Sequence, residues 1–399
     1  MSMEWKEVRL GDICEIKGGK RLPKGVSLVT QRNEHPYIRI RDLGNKKVIE
    51  LDDSYEYVDD ETQKSISRYV VSENDILLSI VGTIGLVAKV GVTLHNANLT
   101  ENCVKLINLQ NIDSDFLYYF LSSQSGQEKI KQGTVGAVQP KLPIKNIQDI
   151  VVTLPTSVED QKRIADILSS LDAKIENNNK INAKLEEMAQ ALFKSWFIDF
   201  EPFKVGRDGS RPAFGSGNFV ESELGLIPEG WKVGTIGDIT TVGSGKRPPM
   251  KQSEKTSEVF IPLVGAASIM GYTNSVLYDK KILITGRVGT HGVIQRFQEA
   301  CWPSDNTLVM EPKFHEFCYQ ILKTVDYSSL NRGSTQPLIT QSDLKNIAII
   351  LPPENIVLMF EKIVSPYFEK IYNNNIENNN LAQTRDTLLP KLMSGEIEL

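Results

Sequence analysis

The chain has 399 residues, of which 40% are hydrophobic and 24% charged, an ordinary globular composition with room for about two to three domains. The formal net charge of −5 argues against a free-standing nucleic-acid-binding protein, unless the cations cluster on one face or partners supply most phosphate contacts. The charged start lacks the apolar stretch of a signal peptide, and four cysteines without C-x-x-C spacing do not suggest a zinc site. We therefore expect a cytoplasmic, reduced and metal-free protein.

The first 155 residues alternate short apolar strands with Gly, Asn and Asp turns, and a short helix is predicted near Ser114–Ser122. The longest uncharged apolar run, residues 76–88, is interrupted by glycine and is too short to cross a bilayer. It therefore predicts two buried strands around a turn. This alternation indicates an α+β fold.

Two long helices are predicted. The first follows a capping-box pattern, either Thr156 with Glu159 or Ser157 with Asp160, and has apolar residues spaced three and four apart over 164–192. The same spacing recurs over 360–388. This heptad rhythm over about four repeats predicts coiled-coil helices. Residues 201–230, rich in Gly, Pro and Ser, are predicted to be a linker.

Asparagines occupy the middle of both predicted helices. They could form a low-propensity polar patch or a break in each helix. Alternatively, they could form a buried cluster that fixes register at some cost in stability. An antiparallel pair would bring them face to face, although it would also set Leu171 opposite Arg385, a poorer match. The predicted register pairs are Asn178 with Asn378 and Asn182 with Asn374.

The two halves of the chain repeat one another. Residues 5–23 and 231–249 share Trp-Lys, Gly-Asp-Ile, Gly-Lys-Arg and a proline at a separation of 226 positions. Further matches follow in the same order, at 37–40 and 260–263, at 82–85 and 289–292, and at 139–140 and 336–337. Collinear matches over this distance indicate two copies of one domain, which could contact two sites on one extended partner.

Basic loops recur at matching places in both copies. Glycine lets a backbone approach phosphates, lysine and arginine neutralise them, and base identity is read best by Arg on guanine or Asn and Gln on adenine. Arg39 and Arg41 follow a predicted strand, whereas residues 262–264 of the second copy carry no cation, which fits domains that read different sequences. For any single cation, an exposed solvated role is the simpler alternative. The candidate DNA-binding residues are Lys20, Arg21, Lys24, Arg39, Arg41, Gln139, Lys141, Lys246, Arg247, Lys251, Arg287, Arg332 and Gln336.

The sequence contains no recognisable catalytic motif. Gly245-Lys246-Arg247 lacks the upstream glycine and the Ser or Thr of a phosphate-binding loop. Residues 351–354 do not fit the Asn/Asp-Pro-Pro-aromatic string of base methylation, and the Glu-Ile-Lys triplet at 15–17 has no partnering acid. We therefore expect no catalytic residues and no metal ligands in this chain.

Several strings resemble those of the specificity subunits of type I restriction-modification systems, and the resemblance covers essentially the whole chain. They are Trp-Lys-Glu-Val-Arg-Leu-Gly-Asp-Ile at 5–13, Glu-Asp-Gln-Lys-Arg-Ile at 159–164, Leu-Phe-Lys-Ser-Trp-Phe-Ile-Asp-Phe at 192–200, Ser-Glu-Leu-Gly-Leu-Ile-Pro-Glu-Gly-Trp at 222–231 and Leu-Pro-Lys-Leu-Met-Ser-Gly-Glu-Ile at 389–397. The resemblance implies two similar target-recognition domains, joined by two long helices that form an antiparallel coiled coil with pseudo-two-fold symmetry. The implied division is 1–155 for the first recognition domain, 156–200 for the central helix, 201–230 for the linker, 231–351 for the second recognition domain and 352–399 for the C-terminal helix and tail.

The resemblance also implies a function without catalysis. Each domain would read half of a bipartite, asymmetric site in double-stranded DNA, and the helices would set the gap. The helices, with Trp196, Phe197 and Phe200, would dock two methyltransferase subunits, and a restriction endonuclease/translocase subunit would bind beyond them. S-adenosylmethionine, ATP and Mg²⁺ are expected on those partners and no cofactor in this chain.

Three alternatives remain at this point. The aromatic cluster could pack onto its own recognition domain instead of onto a partner. The chain could be a coiled-coil scaffold that binds only proteins, which the net charge of −5 would suit. A fused nuclease or methyltransferase is disfavoured because no catalytic constellation is found.

Overall fold

The computed structural model describes residues 3–44, 46–206, 210–330, 338–397 and 399. Contacts between residues divide the chain into two units. Unit 1 comprises Met1–Asn179 and Asn375–Leu399, and unit 2 comprises Lys180–Asn374. Each unit therefore holds one copy of the repeated domain together with parts of both long helices.

Unit 1 is built from short strands and helices. Its strands in the described residues are β1 (Trp5–Arg9), β2 (Glu15–Gly18), β3 (Pro36–Ile38), β4 (Val48–Ile49), β5 (Glu56–Tyr57), β6 (Ile76–Ser79), β7 (Val87–Val90), β8 (Asn98–Leu99), β9 (Cys103–Ile107) and β10 (Val151–Pro155). The α-helices in the same residues are α1 (Leu10–Ile13), α2 (Asp60–Ile66), α3 (Ser114–Ser122), α4 (Gln124–Gly133), α5 (Ile144–Gln148), the first part of α6 (Val158–Phe193) and the last part of α10 (Glu354–Ser394). The helix expected near Ser114 is α3, whereas α2 and α4 were not predicted because short polar helices give little apolar periodicity.

The strands of unit 1 form two main sheets. The larger has the strand order β2-β9-β6-β7-β4 and the smaller has the order β5-β3-β8, while β1 pairs with β10. The fully buried strands β6 and β7 confirm the two strands predicted for residues 76–88. Gly82 and Gly85 in the turn between them have positive φ angles of 75° and 95°, which glycine adopts without strain.

Unit 2 repeats this plan. Its strands in the described residues are β11 (Phe219–Ser222), β12 (Gly225–Pro228), β13 (Lys232–Thr235), β14 (Thr240–Ser244), β15 (Ile261–Val264), β16 (Ile269–Thr273), β17 (Ile282–Gly286), β18 (Gln295–Phe297), β19 (Trp302–Pro303), β20 (Thr307–Pro312) and β21 (Ala348–Leu351). The α-helices in the same residues are the last part of α6, α7 (Ile236–Ile239), α8 (His315–Thr324), α9 (Gln341–Lys345) and the first part of α10 (Glu354–Ser394). The sheets have the orders β14-β20-β17-β18 and β16-β15-β19. These correspond to β2-β9-β6-β7 and β5-β3-β8, so the sequence repeat is also a repeat of topology.

Strand pairing corrects one part of the sequence alignment. Ile38 of β3 pairs in parallel with Leu99, and Val264 of β15 pairs in parallel with Pro303. Ile38 therefore corresponds to Val264, and Arg39 corresponds to Gly265. The similar apolar strings at 37–40 and 260–263 suggested an alignment shifted by three residues, but the initial offset of 226 positions persists through β3.

Both long helices continue through their asparagines, so neither breaks there. Helix α6 has 36 residues and α10 has 41. Ser157, rather than Thr156, supplies the N-terminal cap, because its hydroxyl accepts the Asp160 N–H at 3.4 Å while the Thr156 hydroxyl bonds the Glu4 carbonyl. Of the two capping patterns that the sequence left open, the structure has the second.

Within unit 1, a segment of α6 contacts a segment of α10 through polar side chains. The Asn178 amide, with only 1% of its surface exposed, donates to Asn378 Oδ1 at 2.9 Å and to Glu377 Oε2 at 2.8 Å. Arg385 does not oppose apolar Leu171 but donates to Asp172 Oδ1 at 2.7 Å. The poorer match in the predicted register is therefore accommodated by an ion pair one residue away.

Unit 2 contains the second asparagine pair. The Asn374 amide is buried and donates to Asn182 Oδ1 at 2.7 Å. Both hydrogen bonds join residues that the antiparallel register places opposite each other.

The segment predicted as a linker is ordered in its described part. Glu201–Phe203 forms a 3-10 turn, and β11 and β12 form a hairpin. Phe203 and Ile227 are buried in the core of unit 2. The Gly, Pro and Ser content on which the linker prediction rested gave no sign that these apolar residues would be buried.

The four cysteines are unpaired and buried. Burial raises the pKa of the Cys14, Cys103 and Cys301 thiols to about 12, which leaves them protonated at neutral pH. Within the described ranges, no helix is both long and apolar enough to cross a membrane. The same residues contain no group of three or more His, Cys, Asp or Glu side chains arranged to hold a metal ion.

Candidate nucleic-acid interface

Backbone hydrogen bonds hold the Gly19-Lys20-Arg21 loop of unit 1. The Gly19 N–H donates to the Cys103 carbonyl at 3.0 Å, and the Lys20 N–H donates to the Leu99 carbonyl at 2.8 Å. A Cβ atom at Gly19 would lie 2.0 Å from the Thr100 carbonyl oxygen. The close approach of this loop to the neighbouring backbone therefore requires glycine.

The Gly245-Lys246-Arg247 loop of unit 2 is held in the same way. The Gly245 N–H donates to the Thr307 carbonyl at 3.1 Å, and the Lys246 N–H donates to the Pro303 carbonyl at 3.0 Å. A Cβ atom at Gly245 would lie 2.1 Å from the Ser304 carbonyl oxygen. The repeated string thus has one backbone geometry in both units.

Different side chains brace the lysine carbonyl in the two loops. The Tyr37 hydroxyl donates to the carbonyl of Lys20, and the Trp302 indole N–H donates to that of Lys246, each at 2.8 Å. The backbone is therefore fixed from both sides while the cationic side chains stay in solvent. The exposed predicted cations of these loops are Lys20, Arg21, Lys24, Lys246, Arg247 and Lys251.

A groove of about 760 Å³ lies beside the loop in unit 1. We call it the unit 1 groove. It brings together four predicted cations from two separate parts of the sequence, along with the turn that precedes β9. The lining residues used below are Arg21, Lys24, Arg39, Arg41, Glu101 and Asn102.

Carboxylates hold the two arginines that follow β3. Glu56 of β5 forms ion pairs with Arg39 and with Arg41, the latter at 3.2 Å. Arg41 also donates to the Ser54 carbonyl at 3.0 Å, and Asp42 accepts the Arg39 backbone N–H at 2.7 Å. Burial raises the pKa of Asp42 to about 6, although the nearby Arg41 charge opposes the rise.

Arg39 and Arg41 differ in how far their hydrogen-bonding capacity is used. Arg41 is 54% exposed and donates to three groups. Arg39 is 27% exposed, and its Nε lies 4.0 Å from Asp42 Oδ2, too far for a hydrogen bond. Its Nε and Nη2 are buried without a hydrogen-bond acceptor among the described residues. A buried donor left without a partner costs about 1–3 kcal/mol.

Arg21 and Lys20 occupy the outer part of the site. Arg21 is 85% exposed and pairs with Glu101 at 3.1 Å, a surface ion pair of the kind that contributes about 0–1 kcal/mol. The Lys20 ammonium lies 5.4 Å from the centre of the Tyr69 ring. Both cations therefore have only weak partners in this part of the structure.

The loop with Gln139 and Lys141 is exposed and lies close to the unit 1 groove. The Leu142 N–H donates to the Ile80 carbonyl at 2.9 Å, and the Ile80 N–H donates to the carbonyl of groove residue Asn102 at 2.8 Å. Two backbone hydrogen bonds therefore connect this loop to the groove.

In unit 2, the backbone of Arg287 makes the same contacts as that of Ile80. Its N–H donates to the Asn306 carbonyl at 2.8 Å, and its carbonyl accepts the Ile339 N–H at 3.0 Å. The Arg287 side chain is half-buried, and its Nε has no acceptor among the described residues. Two further predicted residues, Arg332 and Gln336, lie outside the described residues.

Sequence reasoning missed the acid that pairs with Arg39 and Arg41. Glu56 lies 15 residues from Arg41, and no local spacing links them. Only the pairing of β5 with β3 brings Glu56 next to the arginines.

The aromatic cluster is not on the surface. Trp196, Phe197 and Phe200 are 7%, 4% and 9% exposed and lie in the core of unit 2. The Phe197 ring packs edge-on against Phe360 at 5.2 Å between centroids. The expectation that these side chains contact a partner is therefore corrected, since packing onto their own domain buries them.

A polar chain links the sheet of unit 1 to α6. The Lys89 ammonium of β7 lies 2.5 Å from Asp115 Oδ1 of α3, and neighbouring Tyr119 donates its hydroxyl to Asp172 of α6 at 2.6 Å. Burial by itself raises the pKa of Asp115, but the hydrogen bond from Lys89 and the charge of Lys47 outweigh it and lower the pKa.

Unit 2 has a matching chain. Arg296 of β18 pairs with buried Glu316 of α8, and the Tyr319 hydroxyl donates to Glu186 of α6 at 2.6 Å. Arg296 pairs across the sheet with Leu283 as Lys89 does with Ile76. In both units, the sheet that borders the basic loops is thereby attached to a segment of long helix.

Comparison with known proteins places this geometry in a family. The sequence pattern of the type I restriction modification DNA specificity domain matches residues 2–187 and 228–384, once for each copy of the repeat. The specificity subunit of the type I restriction enzyme MjaIX of Methanocaldococcus jannaschii is 29% identical, over 99% of this chain and 94% of that protein. That of HindI from Haemophilus influenzae is 25% identical, over 99% and 100%.

A solved structure shares the fold. The crystal structure of the S subunit of a type I restriction-modification system from M. genitalium superposes with a TM-score of 0.60 at 19% identity. The match covers 98% of this chain and 96% of the other.

Proposed function

Because the chain belongs to the type I restriction-modification specificity subunits, which are non-catalytic, we propose that its two domains each read one half of a bipartite, asymmetric site in double-stranded DNA. The recognition domains are residues 1–155 and 231–351. The observation that carries this proposal is that the Gly-Lys-Arg loops of both units are held by the same backbone hydrogen bonds, while the side chains around the two loops differ.

The charges of the site suit DNA despite the net charge of −5. Exposed lysines and arginines on braced loops neutralise phosphates and release counterions, a contribution that does not depend on sequence. The groove and the strand ends beside each loop offer guanidinium groups that can reach base edges. Phosphate contacts then fix the position of each domain, and the groove side chains supply the specificity.

The long helices act as a spacer in this proposal. At about 1.5 Å per residue, the 36 residues of α6 extend about 54 Å, enough to span half-sites about one helical turn, or 34–36 Å, apart. The helices pair as an antiparallel coiled coil with pseudo-two-fold symmetry, and Asn178, Asn182, Asn374 and Asn378 fix its register. Support comes from the hydrogen bonds between these asparagines within each unit.

The same proposal assigns the partners. Two methyltransferase subunits dock on the long helices, and a restriction endonuclease/translocase subunit binds beyond them. These partners carry S-adenosylmethionine, ATP and Mg²⁺. Exposed residues of the helices make the contacts, because the aromatic cluster around Trp196 is buried.

The test is selection of bound duplexes from a randomised pool by the full chain with its methyltransferase subunits. We expect a split motif with a fixed gap. Enrichment of no sequence by an intact complex would instead indicate a scaffold that binds only proteins.

Salt dependence gives a second check on the basic loops. The logarithm of the binding constant should fall linearly with the logarithm of salt concentration, and each lost phosphate contact lowers the slope by about one. The double variant Lys20→Ala, Lys246→Ala should therefore lower the slope by about two. An unchanged slope would show that these loops do not contact phosphate.

A further inference from the structure

We infer that Arg39 in unit 1 and Arg287 in unit 2 are the guanine-reading residues of the two domains, and that the two units place this arginine at opposite ends of an equivalent turn. This inference rests on the proposed function and extends it to single side chains.

The positions are related by the backbone. In unit 1, the turn 100–102 contacts the end of β3. The Thr100 N–H donates at 3.1 Å to the carbonyl of Ile38, the residue before Arg39. At the other end of the turn, the Asn102 carbonyl accepts the Ile80 N–H at 2.8 Å. Arg39 and Ile80 therefore flank the same turn from two sides.

The equivalent turn of unit 2 is 304–306, and there the arginine lies at the other end of the turn. The Ser304 N–H donates to the Val264 carbonyl at 2.9 Å, and the Arg287 N–H donates to the Asn306 carbonyl at 2.8 Å. The position of Arg39 is held by Gly265, and the position of Ile80 is held by Arg287. Each unit thus has one arginine beside the turn, at the start in unit 1 and at the end in unit 2.

Both arginines carry buried donors without an acceptor among the described residues. The unpaired atoms are Nε and Nη2 of Arg39 and Nε of Arg287. Most buried donors in folded proteins are paired, so such groups call for a specific explanation. These atoms are shielded from solvent in the free chain, so the guanidinium must turn toward the groove before a base edge supplies the missing acceptors, which guanine presents as O6 and N7 in the major groove.

Charge separates Arg39 from the phosphate-binding cations. Glu56 already neutralises Arg39 and repels a phosphate placed beside it. A neutral base edge meets no such repulsion, and Glu56 holds the guanidinium in place. Glu56 is therefore a positioning residue, with Arg41 as its second ion-pair partner.

The experiment uses the full chain with its methyltransferase subunits and the duplex selected by the wild-type complex. Each base pair of both half-sites is replaced in turn, and binding is measured by competition for the wild-type chain and for Arg39→Gln, Arg39→Lys and Arg287→Ile. The last substitution installs the side chain that unit 1 has at this position. Lys24→Gln and Lys251→Gln are the matched controls, exposed cations beside the same loops.

We expect Arg39→Gln to lose about 10- to 100-fold of discrimination at one guanine in one half-site only. Arg287→Ile should do the same at one guanine in the other half-site, and the unaffected half-site reports that each variant is folded. Arg39→Lys should also lose discrimination, because it keeps the charge but not the two-pronged donor geometry. The controls should weaken binding to all sequences alike.

Uniform weakening by Arg39→Gln or Arg287→Ile, with a lower salt slope and unchanged base preference, would overturn the inference. So would loss of discrimination at bases other than guanine. These outcomes differ from failure of the proposed function, in which the wild-type complex itself selects no split motif.

Discussion

Gly19 and Gly245 allow the basic loops to lie directly against neighbouring carbonyl groups. Because glycine has no side chain, the lysine and arginine that follow it are held close to the neighbouring backbone. Lysine and arginine are long and mobile, so their reach toward DNA depends on a backbone that is already fixed.

The first prediction concerns Gly19→Ala. Its added Cβ would lie 2.0 Å from the Thr100 carbonyl oxygen, so the loop must move. We expect a loss of about 1–3 kcal/mol in the free energy of unfolding, together with weaker DNA binding. Thermal unfolding and competition binding measure the two effects.

Gly18→Ala is the control, because an added Cβ at the preceding residue meets only the Ile144 side chain, at 3.8 Å. Equal unfolding temperatures and affinities for the two variants would show that the close approach at Gly19 has no energetic weight.

The sequence predicted the basic loops but only part of the groove. Gly-Lys-Arg stood out because it occurs twice in the same context, and Arg39 stood out because it follows an apolar strand. Glu56 could not be predicted, since its role arises from strand pairing between distant segments. The alignment of 82–85 with 289–292 already places Arg287 at the position of Ile80, and the backbone hydrogen bonds show the same correspondence.

Elements are attached to one another by polar groups as well as by apolar cores. Asn178 and Asn374 are buried amides in the middle of the two long helices. A buried amide is tolerated only when its partner lies opposite, so a slipped register leaves it unpaired.

The second prediction is a double-mutant cycle on the unit 1 pair. Asn178→Leu alone should cost about 1–2 kcal/mol, because it removes the amide that donates to Asn378 Oδ1. The double variant Asn178→Leu, Asn378→Leu should regain part of that loss through apolar contact. Urea unfolding gives the coupling energy, and strictly additive effects would exclude a direct interaction between the two amides.

The third prediction concerns pH. Burial of Glu361 on α10 raises its pKa from 4.5 to about 7, although the Phe317 N–H that it accepts opposes the shift. The folded state therefore keeps its proton over a range in which the unfolded chain has lost it. Stability from this group is complete below pH 4.5 and is lost as the pH rises to about 7.

Glu361→Gln keeps an acceptor for the Phe317 N–H and cannot ionise. We expect it to raise the urea midpoint at pH 8 and to change it much less at pH 5. The exposed Glu369→Gln on the same helix is the control. Equal effects of Glu361→Gln at the two pH values would exclude ionisation of this carboxyl as the cause.

At the scale of elements, periodicity predicted best where it was longest. The heptad spacing predicted two long helices, and the asparagines predicted which residues lie opposite each other. The aromatic run at 196–200 was ambiguous, because an apolar cluster after a helix fits a partner surface and a domain core equally well. Its burial depends on contacts with Trp231 and Phe360, both far away in the sequence.

The whole molecule combines two copies of one domain with two long helices. If the helices set the gap, helix length and base recognition are separable properties. The fourth prediction is that seven residues added to α6 after Asn179, and seven added to α10 after Asn374, lengthen the gap by about three base pairs. The reason is that seven helical residues extend about 10 Å and a base pair rises about 3.4 Å.

Duplex selection with the lengthened chain tests this prediction, and both half-sites should be unchanged. Insertion into α6 alone is the control, since it removes the pairing between the asparagines. An unchanged gap in the doubly lengthened chain would mean that the helices do not act as the spacer.

Bracing of the basic loops by main-chain carbonyls has a consequence for how new specificities evolve. The side chains at 39, 265 and 287 contribute none of the hydrogen bonds that fix those loops, so these positions can change without releasing the loops, whereas Ile80 is buried in the core of unit 1. An arginine can therefore be gained or lost at the start of the turn by single substitutions that leave the loop in place. A lineage could thereby shift its recognised base along the duplex in small, viable steps.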